Sequence, residues 1–363
     1  MLNTSTDQII SSLVDIASNI QIEPNFRIHH PNYLPFALPD NVAHRFQRNS
    51  LDLQHKCLAL LLRNFLYGVY YNGSLQKILA VSNKAQVCES SKKLDENCSV
   101  GIDWNFYQQL HENNFGTGYY DPNWRVLRLE PDGSIAVTKD GLTLYVEPEC
   151  YLPSTRSPIV EDLIAIWMPK NRLHNGCYVA VSNVRWEETQ EQKAVNSHLG
   201  RGRIYLNLKP SGAIALMASL TKQLNSIAIP FSFEVLYNPT FYGRYDAAML
   251  NFEISTYGVI HQVLQTVYQE HQAYFQPDIP LFTKFLAPGV GLAEEPDQKS
   301  AAQESFGLNR CQIVANALLE AWRNGKMGIE ERLRVIEQHF AQHFIDIHHP
   351  YLNPNSEDIY SPI

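Results

Sequence analysis

The stretch GRGRIYLNLKPSGAIALMASLTKQLNSIAIPFSFEVLYNPTFYGRYDAAMLNFE, residues 200–253, decides the fold. Residues 203–209, 231–236 and 247–252 are runs of aromatic and branched apolar side chains separated by turn chemistry, the pattern of strands. Between the first two, Ile214, Leu216, Met217, Leu220 and Leu224 recur at helical spacing. The order is therefore strand, helix, strand, turn, strand. Arg201 and Arg203 open the first strand, and Arg244 precedes the last. A guanidinium fork meets a phosphate through two nitrogens at once, so three of them near strand ends form a candidate anion site. Surface charge is the alternative reading of the same arginines.

The rest of the chain supports an α+β fold, an antiparallel or mixed sheet flanked by helices. With 363 residues, 45% hydrophobic and 18% charged, it has the composition of an ordinary folded protein with room for two or three domains. Residues 7–20 and 51–70 read as helices, and Pro24, Pro31, Pro35 and Pro39 read as breaking regular structure between them. Residues 84–103 read as an exposed loop, and 103–113 as a short helix. Residues 124–129, 134–138 and 142–146 alternate between turns at Pro131-Asp132-Gly133 and Asp140-Gly141, a β-meander. The expected organisation is an N-terminal helical module closed by that meander (1–150), an α+β domain (151–350) and a loose tail (351–363). Within the second part, 176–183 reads as a strand, 187–200 as a loop or helix, and 257–274, 306–322 and 329–344 as helices. Residues 280–296, PLFTKFLAPGVGLAEEP, read as irregular.

Several function classes are excluded or disfavoured. Acidic residues outnumber basic ones, 37 to 29, so no nucleic-acid partner is expected. No run of about 18 apolar residues spans a membrane, and the first 20 residues lack the basic start of a secretory signal. Six cysteines without a CxxC pair suit a reducing compartment, and a cytoplasmic location is expected. No phosphate-binding P-loop, HExxH or GxSxG motif is present. His339 and His343, with Asp346, His348 and His349 behind them, have chelating spacing, but a polar helix face explains them equally.

Two segments, PLFTKFLAPGVGLAEEP and ESFGLNRCQIVANALLEAW, resemble the C-terminal signature of the HopA family of type III secretion effectors, and RIYLNLKP and YGRYDAAMLNF fit the same family. The similarity covers about residues 150–325. Asn309 stands where the family pattern calls for a histidine. Proteins resembling this family include stand-alone lyases of class V lanthipeptide biosynthesis, which work beside a kinase-like partner. The resemblance implies a lyase that eliminates phosphate from phosphoserine or phosphothreonine of a precursor peptide, leaving dehydroamino acids, with no metal or redox cofactor. Such chemistry needs a base for the Cα proton and positive charge on the phosphate. Arg203 and Arg244 are the candidate clamp, with Arg201, Tyr205, Asn207, Asp246 and Arg310 as further substrate-binding candidates. Lys284 is the first candidate base and Lys209 the second; Tyr178 is the candidate acid, with Tyr205 and His198 as rivals. The alternatives are a scaffold that binds a peptide or kinase-like partner without chemistry, and a phosphatase.

Overall fold

The structure is a computed structural model that describes residues 5–81, 98–99, 101–153, 158–174, 176–186, 200–299 and 304–363. The loop expected at 84–103 and the segment at 187–200 lie almost wholly outside these residues, as does His198. The fold is α+β, built on four antiparallel sheets. β1 (Gln21–Glu23), β2 (Arg27–His30) and β3 (Tyr33–Ala37) form a small sheet where the prolines were expected to prevent one. Pro24 and Pro31 sit in its turns, and Pro35 lies in the edge strand β3, where a missing N–H costs no ladder bond. β4 (Cys98–Ser99) and β5 (Ile102–Asp103) make a short ladder. The meander is β6 (Tyr119–Leu129), β7 (Ile135–Lys139) and β8 (Leu142–Val146), and β6 also pairs with β9 (Leu163–Met168). The border expected at 150 therefore falls inside this sheet.

The central sheet has seven strands: β10 (Asn171–His174), β11 (Cys177–Val181), β12 (Arg201–Leu206), β13 (Phe231–Leu236), β14 (Ala248–Glu253), β15 (Lys284–Ala287) and β16 (Val290–Glu294). Their spatial order is β10-β11-β13-β14-β12-β16-β15. Three come from the deciding stretch, and β12 and β14 lie side by side in its middle. The segment read as irregular supplies the hairpin β15–β16. Its Pro288 and Gly289 form the turn itself, with Gly289 at φ 78°.

Side chains alternate between the faces of this sheet, and cross-strand partners share a face. On one face Ile204, Leu250, Phe233 and Ala180 form a row, packed with the helices Pro210–Ser226 and Tyr257–His271 into the main core. On the other face Tyr205 meets Tyr71 and Phe306, from the helical segment 51–71 and the helix Phe306–Arg323. Ser50 and Ser305 cap these two helices by accepting from Leu53 and Leu308 N–H groups. One contiguous core runs from Ile9 to Tyr360. A second, small one lies under the meander around Trp124, Val126, Val137 and Ile166.

The tail expected to be loose is packed. Tyr351 and Tyr360 are buried, Tyr360 Oη donates to Glu294 at 2.8 Å, and Ile363 N–H donates to Leu286 O at 3.0 Å. Buried aromatic rings with satisfied hydroxyls fix this segment.

Candidate functional site

A cavity of 630 Å³ opens between the meander sheet and the more polar face of the central sheet. Strand alternation puts Arg201, Arg203 and Tyr205 of β12, Asn251 of β14, Ser232 and Glu234 of β13 and Arg172 of β10 on that face. The meander adds Asp121, Lys139 and Asp140, and the loop after β11 adds Arg185 and Trp186. Among the described residues six cationic side chains (Lys139, Arg172, Arg185, Arg201, Arg203, Lys299) and four carboxylates (Asp121, Asp140, Glu234, Glu295) line the cavity. Ion pairs occupy part of this set. Lys139 Nζ and Arg185 Nε approach Asp121 at 2.7 and 3.0 Å, and Arg203 Nε approaches Glu295 at 2.7 Å. Lys299 shares Glu295, and the Arg201 guanidinium lies over the Trp186 ring at 5.2 Å.

Glu234 is different. It is half-buried, accepts from Asn251 Nδ2 at 2.8 Å, and has no ion-pair partner among the described residues. Asn251 also donates to Ser232 Oγ at 3.0 Å and is the cross-strand neighbour of Arg203. Arg203 and Glu234 thus stand two strands apart and two residues out of register, and the Glu234 charge still acts on the Arg203 guanidinium. Burial raises the Tyr119 hydroxyl above its ordinary range, so this cavity phenol stays protonated.

The sequence candidates are only partly brought together. Arg201 and Arg203 line the cavity. Tyr205 shares their face but is buried against Tyr71 and Phe306, and burial pushes its hydroxyl up to about 12. Arg244 lies outside the cavity, its fork spent on Asp246, with Nη2 to Oδ2 at 2.7 Å. Asp246 is buried and also accepts from Tyr67 Oη at 3.3 Å and Asn72 Nδ2 at 3.4 Å.

Lys284 is on the opposite face. It pairs through Leu292 with Ile204, one residue out of step with Arg203, and its Nζ donates to both Asp358 oxygens at 2.7 and 2.6 Å. Tyr178 is on that face too, buried, accepting from Asn114 Nδ2 at 3.0 Å and 3.2 Å from His111 Nδ1. Lys209 is exposed and donates to Ala273 O at 3.0 Å, and Asn207 Nδ2 donates to Asp278 O at 2.9 Å. Arg310 is buried, its fork held by the carbonyls of Pro350 at 2.7 Å and Leu352 at 3.1 Å; burial pulls its pKa down to about 10. Asn309, on the same turn, accepts from Arg310 Nη1 at 2.6 Å. Clamp, base and acid as read from sequence therefore do not converge: Arg203 is separated from Lys284 and Tyr178 by the thickness of the sheet.

The histidine pair does not converge either. His339 Nε2 meets Glu320 at 2.8 Å, while His348 and His349 turn to Asp346. Among the described residues no group of three metal-ligating side chains is arranged around a point. No helix among them is long and apolar enough to cross a membrane. Sequence reading passed over Arg172, Arg185, Lys139 and Glu234. The available signal was the alternation in FSFEVL, where Ser232 and Glu234 interrupt Phe231, Phe233 and Val235 and mark a polar sheet face.

No curated protein matches the sequence. The solved structures similar to it at low identity include two effector proteins. The effector protein from Pseudomonas syringae pv. tomato strain DC3000 is 16% identical over 49% of this chain and 63% of that one, with a TM-score of 0.37. The effector protein from Pseudomonas syringae pv. syringae strain 61 is 11% identical over 96% of this chain and 99% of that one, with a TM-score of 0.45. The chain thus spans less than two thirds of the first. A family model, that of the HopA1 effector protein family, matches residues 168–352, which hold β10 to β16 and the face that carries Arg203 and Glu234. With half of its length matched, the chain belongs to the HopA1 effector protein family.

Proposed function

We propose that the cavity takes a phosphorylated serine or threonine of a peptide and eliminates its phosphate, without metal, to leave a dehydroamino acid. The observation that supports this reading is the gathering of arginine and lysine side chains around Glu234, a carboxylate with no ion-pair partner among the described residues. A phosphate dianion suits such a cationic lining. Arg203 and Arg201 hold it through guanidinium forks. Glu234 is the base in place of Lys284 and Lys209, neither of which lines the cavity. Its carboxylate takes the Cα proton, the C–H electron pair becomes the Cα=Cβ bond, and the Cβ–O bond breaks. Phosphate leaves with the Cβ–O bonding pair, its charge met by the guanidinium groups. The phosphoryl group itself is put on by a kinase-like partner, as the family resemblance implies.

A second reading, peptide binding without chemistry, is favoured by the ion pairs that commit Lys139 to Asp121 and Lys299 to Glu295. Mass spectrometry of a phosphoserine peptide after incubation in chelator separates these readings. Elimination removes the elements of phosphoric acid, a phosphatase returns the alcohol, and a binding module leaves the mass unchanged. Glu234→Gln is expected to bind the peptide but lower the elimination rate at least about a hundredfold, the scale of a lost general base. Full activity in that variant sinks the assignment.

A further inference from the structure

The two edges of the central sheet are finished differently. Beside β15 lies the end of the chain, with Ile363 N–H donating to Leu286 O at 3.0 Å. At β10, Arg172, Leu173 and His174 are exposed, and no other described strand pairs with its outer side. The ladder shows which groups are open. Val181 N–H donates to Lys170 O at 3.0 Å, so 170 and 181 form a hydrogen-bonded pair. By antiparallel alternation Arg172↔Val179 and His174↔Cys177 are the next such pairs. Asn171 and Leu173 fall between them, so their N–H and C=O groups point away from β11, where no other described strand meets them. Arg172, between these two residues, sends its side chain to the cavity face, in the same cross-strand row as Val179 and Glu234. It has no ion-pair partner among the described residues.

We infer that an extended, acidic segment of the phosphopeptide docks on β10 as an eighth strand of the sheet. This rests on the peptide reading of the cavity and adds how the peptide is held. Asn171 and Leu173 exchange backbone hydrogen bonds with alternate residues of the peptide. The peptide residue between them is a glutamate or aspartate opposite Arg172, in the closer, non-hydrogen-bonded kind of pair. An added strand lies three strand spacings from Glu234, roughly 15 Å, so the docked segment is not the reacting one. The phosphorylated residue lies further along the same peptide and reaches over the sheet face. Charge selects this occupant: a second copy pairing edge to edge about Arg172 sets two guanidinium groups opposite each other, which is unfavourable.

Leu173→Pro tests the docking. Proline removes the outward N–H and leaves the β10–β11 bonds, which come from Arg172 and His174, and edge strands accept it. The probe is a phosphoserine peptide with alternating glutamates on one side, titrated into the full chain and followed by fluorescence anisotropy and mass spectrometry. Expected is a Kd raised about fivefold to tenfold, the loss of one backbone bond, with the elimination rate at saturating peptide unchanged. Arg172→Glu is expected to weaken the same peptide and to recover when lysines replace the glutamates. An unchanged Kd in Leu173→Pro, with its melting temperature intact, overturns the docking. So does a sedimentation shift showing that the proline breaks a dimer of this chain. Wild-type binding without elimination, still weakened by the proline, leaves the docking standing and removes only the chemistry.

Discussion

Lys284 donates to both oxygens of Asp358, and its ammonium lies 5.3 Å over the Tyr351 ring. These contacts hold Nζ on the face of the sheet opposite Arg203, away from a peptide in the cavity. Lys284→Met is therefore expected to leave peptide binding and elimination within about twofold of wild type while lowering stability by about 1 kcal/mol, the worth of a partly exposed pair. Peptide turnover and urea denaturation of one preparation read both. Sequence could show that Lys284 sits in a distinctive segment, but not its partner, Asp358, which is brought to it from the end of the chain. Arg203 was legible because a strand-opening arginine keeps its place once the strand forms. Glu234 was not, since a glutamate between Phe233 and Val235 looks the same whether its face meets solvent or a cavity.

The β15–β16 hairpin shows where an element depends on one residue. A Cβ at Gly289 lands 2.3 Å from Gln276 O, and the φ of 78° is one that side chains avoid. Gly289→Ala is expected to lose at least about 1 kcal/mol from the backbone alone, with more from the contact, and to lower the urea midpoint. An unchanged midpoint contradicts this account of the turn. Strong periodicity made most elements legible: Phe231–Leu236 falls where its apolar run does, and Pro210–Ser226 follows its helical recurrence. Where Pro and Gly were dense, the same signal misled. In FLAPGVGL Pro288 and Gly289 reverse the chain while Gly291 lies in a strand, and the buried strands show no alternation to reveal them.

Across the whole molecule, the two halves fold on one another. Arg332, near the C-terminus, donates to Ala17 O and Ile20 O at 2.5 and 2.8 Å, and the main core takes side chains from both ends of the chain. Such long-range closure leaves no local sequence signal, which is why the chain read as separate modules. Three histidines within this body, His30, His111 and His343, have pKa values lowered chiefly by burial. A lowered folded pKa means the unfolded chain binds the proton more readily, so stability rises with pH in the window between the two values. The contribution is full above the unfolded value, about 6.5, and is lost as pH falls through it toward the folded values. The melting temperature is expected to drop between about pH 7.5 and pH 5.5, and a flat profile contradicts this.

The central claim is that a cavity lined with arginine and lysine side chains, built on the polar face of the sheet, recognises phosphate on a peptide. Calorimetric titration of one peptide, with and without its phosphoserine, into wild type and Arg203→Ala tests it most directly. The expected result is at least about a tenfold preference for the phosphorylated form, 1.4 kcal/mol or more, that disappears in Arg203→Ala. Equal affinity of the two peptides for the wild type contradicts it.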